Sequence, residues 1–143
     1  VAEFRGDSIT QRQYAEEFIS IATKQHYGNM YNKYLIDLYT GIINEPAKAV
    51  ALAEKELIDR ANPQTYAWYV WSLYSNNEKE KADTYFKSYV SAQPLEGLEL
   101  YYIGRMMEGL DKKYNATEFY KVAIKNKYDL SPSKQKYLEE ILE

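Results

Sequence analysis

A chain of 143 residues with a formal charge of −3 has room for one compact domain with a sizeable core, not for two ordinary ones. Its 45% hydrophobic and 27% charged residues exclude a disordered tail, and the acidic balance disfavours nucleic acid, which is held by Lys and Arg on its phosphates. With no cysteine there is neither a disulfide framework nor a thiolate metal site, and the compartment stays open.

Glycine and proline fall between stretches of helical apolar periodicity, and alternating β-branched runs are missing, which predicts an all-α chain. Eight helices are expected, over 8–26, 30–43, 46–60, 63–76, 78–92, 96–109, 112–127 and 132–142. The first opens where Ser8 and Gln11 have the spacing of a capping box. Asn62-Pro63 starts the fourth, with a side-chain acceptor before a proline whose missing N–H costs nothing at the first helical position. Asn77 and Glu80 repeat the box spacing at the fifth helix, and Ser131-Pro132 repeats the acceptor and proline at the eighth. In that last helix Tyr137, Leu138 and Ile141 share one face while Lys134, Lys136, Glu139 and Glu140 lie largely elsewhere, the pattern of a polar-backed cap. No apolar run approaches the ~20 residues that span a bilayer, and no signal-peptide series precedes the first helix. The chain begins with Val1 rather than Met, which suits a processed or excised segment.

Internal repetition is the stronger signal. Ala15, Ala49, Ala82 and Ala116 recur at a period of about 34 residues, each followed four residues later by Ile19, Ala53, Phe86 or Tyr120. In the last copy Leu100, Ile103-Gly104 and Met107 supply the first helix and Ala116 and Tyr120 the second, with Gly104 where a side chain would push the pair apart. The middle copy has Tyr66, Tyr69-Val70, Leu73, Ala82, Phe86 and Pro94, and Val70 in place of the small residue predicts a slightly splayed pair or compensation by a smaller neighbour. The first copy keeps Leu35, Ile36, Tyr39, Ala49 and Ala53 with its second helix moved by one residue. These residues and their period resemble the tetratricopeptide repeat family over about 29–130, and Ala49 to Tyr74 is similar to a bacterial version of it. The resemblance implies a right-handed α-solenoid of antiparallel helix pairs, one domain over 1–143. It would comprise a partial repeat at 8–28, repeats at 29–62, 63–96 and 97–130, and a capping helix at 131–143. It also implies a segment cut from a longer array that ends here, and a protein-interaction role.

In such repeats the first helix of each pair lines a concave groove. Applying the helical period places Gln64, Ala67, Trp71, Tyr74 and Ser75 on that surface in the middle pair. Leu98, Tyr101, Arg105 and Glu108 follow in the last pair, and Met30, Lys33, Asp37 and Thr40 in the first. Trp71, Tyr101 and Arg105 head this set, because Trp, Tyr and Arg bury much area or make several directional bonds at small entropic cost. Trp68 and Tyr102 read as core. Arg105 has a second reading, an i+3 pair with Glu108 worth about 0.2–0.5 kcal/mol. The lysines, asparagines and arginine by which some relatives clamp a terminal carboxylate have Ala67, Trp71, Tyr101 and Arg105 at the corresponding places here, so that basic and amide set is not reproduced.

Catalysis finds no foothold. His26 is the single histidine, Glu16-Glu17 and Glu139-Glu140 are adjacent pairs that diverge around a helix, and no phosphate loop, metal pair or cofactor motif occurs. Lys121 and Lys125 share a face that reads as solvated exterior, with an anionic partner as the alternative. The expected function is a non-enzymatic scaffold that holds a peptide or partner protein in its groove. Packing on further repeats or self-association without a groove ligand is the other reading.

Overall fold

The computed structural model describes residues 8–24 and 31–143, which leaves His26 and Met30 outside the described residues. Among the described residues eight α-helices follow one another: α1 Ser8–Lys24, α2 Asn32–Thr40, α3 Pro46–Asp59, α4 Pro63–Ser75, α5 Lys79–Tyr85, α6 Gly97–Gly109, α7 Lys113–Lys125 and α8 Pro132–Ile141. A π turn, Phe86–Val90, extends α5, and a 3-10 turn, Lys127–Asp129, precedes α8. No strand occurs among the described residues. Each helix from α2 to α8 packs on its neighbour in sequence, apart from α5 and α6, and α4 also packs on both α2 and α6. That second contact joins successive helix pairs and makes α4 the central element.

The chemistry at the helix ends explains the boundaries. Asn62 Oδ1 accepts from Thr65 N at 3.0 Å and Thr65 Oγ1 from Asn62 N at 2.9 Å, so two otherwise orphaned donors are satisfied beside Pro63. Asn77 does not cap α5 as its spacing with Glu80 suggested. It adopts φ 63° and instead terminates α4, with Asn77 N bonded to Tyr74 O and Glu78 N to Leu73 O. Asp111 takes φ 63° after α6 with the equivalent bonds, Asp111 N to Glu108 O and Lys112 N to Met107 O. Both ends are Schellman motifs in which the left-handed position holds Asn or Asp, the residues with a Cβ that tolerate it best. Asn44, between α2 and α3, also has positive φ, 55°, but the turn there is wider, with Glu45 N bonded to Tyr39 O.

The repeated alanines are where helices approach. Ala49, Ala53 and Ala82 are fully buried, and Ala15 and Ala116 nearly so. Across the α6–α7 contact, a Cβ built on Gly104 would overlap the Tyr120 ring, reaching Cδ1 at 2.6 Å. Val70 stands one repeat earlier at the position of Gly104, and Phe86 at that of Tyr120. It is at Phe86 that α5 widens from α to π geometry. The helix facing Val70 thus changes geometry at this level, and one extra residue in the turn re-aims its side chains. The cap reading of α8 needs one correction: Leu138 is fully buried, but Ile141 is largely exposed and Lys134 turns inward.

Gly104→Ala is expected to lower stability by about 1–3 kcal/mol, the usual cost of overpacking a filled contact. A urea melt checks it: the midpoint should fall with an unchanged m value.

Candidate functional site

Asp37, Trp71 and Arg105 lie 34 residues apart in sequence, one on each of α2, α4 and α6, and all three line a single cleft of about 790 Å³. Tyr101, Tyr102, Thr40 and Ser75 extend the same wall, α8 contributes Ser133 and Lys134, and α1 closes a side with Tyr14, Ala15 and Phe18. The lip carries two exposed rings, Tyr14 at 61% and Tyr34 at 57% of their full accessibility. A cavity of this size with aromatic walls and a few convergent polar groups has the character of a ligand site.

The polar groups are arranged by one carboxylate. Asp37 Oδ1 accepts from the Tyr102 hydroxyl at 2.8 Å, and Oδ2 from Lys134 Nζ at 3.0 Å. Trp71 is held on three sides: its indole N–H donates to Thr40 Oγ1 at 2.9 Å, and its ring stacks on Tyr102 at 5.2 Å and Tyr74 at 5.8 Å. Trp71 thus offers an edge to the cleft while its faces are engaged. Arg105 donates from Nη1 to the Tyr101 hydroxyl at 2.8 Å, and its guanidinium lies 4.6 Å from the centre of the Tyr137 ring.

Not every residue singled out in the sequence reaches this cleft. Gln64 and Tyr74 are half-buried and are not among its lining residues. Ala67 and Leu98 are buried in the core. Glu108 faces a smaller cavity of about 360 Å³ with Ala116, Thr117 and Tyr120. Its carboxylate does not pair with Arg105; it accepts the hydroxyl of Tyr120 at 2.8 Å and that of Tyr137 at 2.6 Å. Two tyrosines from α7 and α8 thus claim the acid that helical spacing offered to Arg105.

Three participants were not singled out from the sequence. Lys134 fell on the polar side of the cap helix, and Tyr34 carried no reading. Glu99, fully buried, accepts from the Trp68 indole at 2.6 Å with Lys33 Nζ at 3.8 Å. An acid inside the apolar run Leu98–Ile103 was its available signal.

Burial pushes the phenols of Tyr102, Tyr120 and Tyr137 above their ordinary value, and the carboxylate each one faces adds to the effect: Asp37 for Tyr102, Glu108 for the other two. No family model, no curated protein and no solved structure matches the chain.

These phenols hold their protons more tightly folded than unfolded. Their contribution is therefore complete below the ordinary phenol value near 10 and is lost as pH rises through the folded values. Unfolding free energy should hold level to about pH 10 and fall above it; the exposed tyrosines ionise first with the helices intact, and the last phenolate absorbance appears together with loss of helix. A phenolate signal that saturates with the helices intact would contradict it.

Proposed function

We propose that the chain is a non-catalytic scaffold of tetratricopeptide type, a right-handed α-solenoid of helix pairs that binds a peptide or a segment of a partner protein in the cleft. The observation that carries this reading is the stripe of Asp37, Trp71 and Arg105, equivalent positions of three helix pairs facing one cavity. A peptide groove in a repeat scaffold is built from the same register repeated. The exposed rings of Tyr14 and Tyr34 support it, since a tyrosine at a lip offers rigid apolar area and a hydroxyl that stays wet. Lys121, ion-paired with Glu118 at 3.7 Å on an exposed face, fits a solvated exterior better than an anionic docking surface.

Self-association is the second reading, and α1 favours it. Ile9, Tyr14 and Ile21 on that helix are all more than half exposed. Light scattering over a concentration series separates the two: a constant monomer mass supports the groove reading, and a rising mass supports assembly through α1.

The groove reading predicts that a chain carrying Tyr14→Ser, Tyr34→Ser and Arg105→Gln keeps its helical circular dichroism, since the two tyrosines are exposed and Arg105 has one side-chain bond. A protein retained from lysate by the unmodified chain should be lost from this variant. Equal retention by both would move its contact surface away from the cleft.

A further inference from the structure

Taking the cleft as the binding site, we propose that Arg105 is the anchor for one carboxylate, carried on an acidic side chain of the bound peptide segment. Arg105 is half-buried, and no carboxylate among the described residues lies within ion-pair distance of its guanidinium. One of its five N–H groups donates to Tyr101, and the Tyr137 ring covers one face. The guanidinium is thus held in orientation while its charge is unopposed, and a planar fork of donors matches the two oxygens of a carboxylate.

The surroundings narrow the ligand. Of the charged residues lining the cleft, Arg105 and Lys134 are positive and Asp37 negative, a net +1 on a chain whose total is −3. The cleft therefore attracts anions more than the rest of the surface does. Lys134 is already held by Asp37 at 3.0 Å, and Lys33, on α2 but outside the cleft lining, stands 3.8 Å from Glu99. A phosphate dianion asks for a second uncommitted cation, and neither lysine supplies one, so the charge count fits a monoanion. The acceptors decide how the carboxylate is presented. Both oxygens of Asp37, the acid that lines the cleft, already receive donors, and Thr40 Oγ1 receives the Trp71 indole. A peptide end brings a backbone N–H close beside its carboxylate, and these side-chain acceptors are taken. An acidic side chain brings acceptors alone, separated from the backbone by its methylenes, and satisfies Arg105 without adding an unpaired donor.

Nuclear magnetic resonance of the Arg105 Nε–H and the Trp71 Nε1–H tests this in the full chain with three probes: acetyl-Tyr-Glu-Tyr-amide, acetyl-Tyr-Gln-Tyr-amide and acetyl-Tyr-Gln-Tyr with a free carboxyl end. The glutamate peptide is expected to bind about tenfold more tightly than either glutamine peptide and to shift the Arg105 Nε–H, the size of one charge-assisted pair. In Arg105→Gln the preference for glutamate should vanish. Equal binding of all three peptides, with Trp71 still shifted, overturns the anion site and leaves the cleft reading standing. Tighter binding of the free-ended peptide overturns the side-chain source. A shift of Arg105 by inorganic phosphate as large as that by the glutamate peptide overturns the preference for a monoanion. No shift at Trp71 or Arg105 with any probe overturns both this proposal and the cleft as the binding site.

Discussion

Asp37 accepts from residues 65 and 97 positions away, and the interior of the cleft is organised around that carboxylate. Tyr102, whose hydroxyl reaches it from α6, stacks on Trp71 of α4, and Trp71 returns to α2 through Thr40. The contacts form a closed circuit through α2, α6 and α4, with α8 attached by Lys134. A carboxylate taken partly out of water is costly unless both oxygens are paired. Here each oxygen has one donor, and the donors come from different helices, so the condition that makes the acid tolerable also fixes the spacing of those helices. Loss of Asp37 would leave the Tyr102 hydroxyl without this acceptor and Lys134 without this counter-charge.

The rest of the scaffold depends on close approach. A helix pair can come together where one partner presents little beyond its backbone, and the buried alanines and Gly104 are those places. This was legible in the sequence, because a small residue followed four positions later by a large one recurs with a fixed period. The same period separates Asp37, Trp71 and Arg105, which line one cleft. Positive φ recurs at Asn44, Asn77 and Asp111, spaced 33 and 34 residues apart, with Ala92 off that period. Asn77 was nonetheless misread as an N-cap, because Asn serves both roles and the choice rests on whether the preceding helix needs a left-handed exit.

What could not be read was the competition among polar side chains. Spacing along one helix offers Arg105 to Glu108, but spacing says nothing of Tyr120 and Tyr137, which arrive from α7 and α8 and occupy both oxygens of that acid. Lys134 shows the converse. Its place on a polar face suggested solvent, yet the side chain keeps only 16% of its accessibility because Asp37 lies within its reach across the cleft. Long cations bury their methylenes and follow the nearest acid, so their direction is a property of the tertiary arrangement. Glu99 and Trp68 make the same point in the core, where a buried acid and an indole 31 residues apart find each other.

The consequence is a division of labour between the two cations that line the cleft. Lys134 is consumed in holding the cleft together, while Arg105 is left uncompensated because its nearest acid on the same helix is claimed by tyrosines. Those tyrosines act twice. Tyr137 donates its hydroxyl to Glu108 and turns its ring towards Arg105, so one side chain removes the counter-charge and supplies a face on which the guanidinium rests. An aromatic face attracts a cation without neutralising it, and the charge therefore remains available to whatever enters. The abundance of tyrosine in this chain has a physical reading at this point: it lets acids be satisfied and cations be positioned without pairing the two.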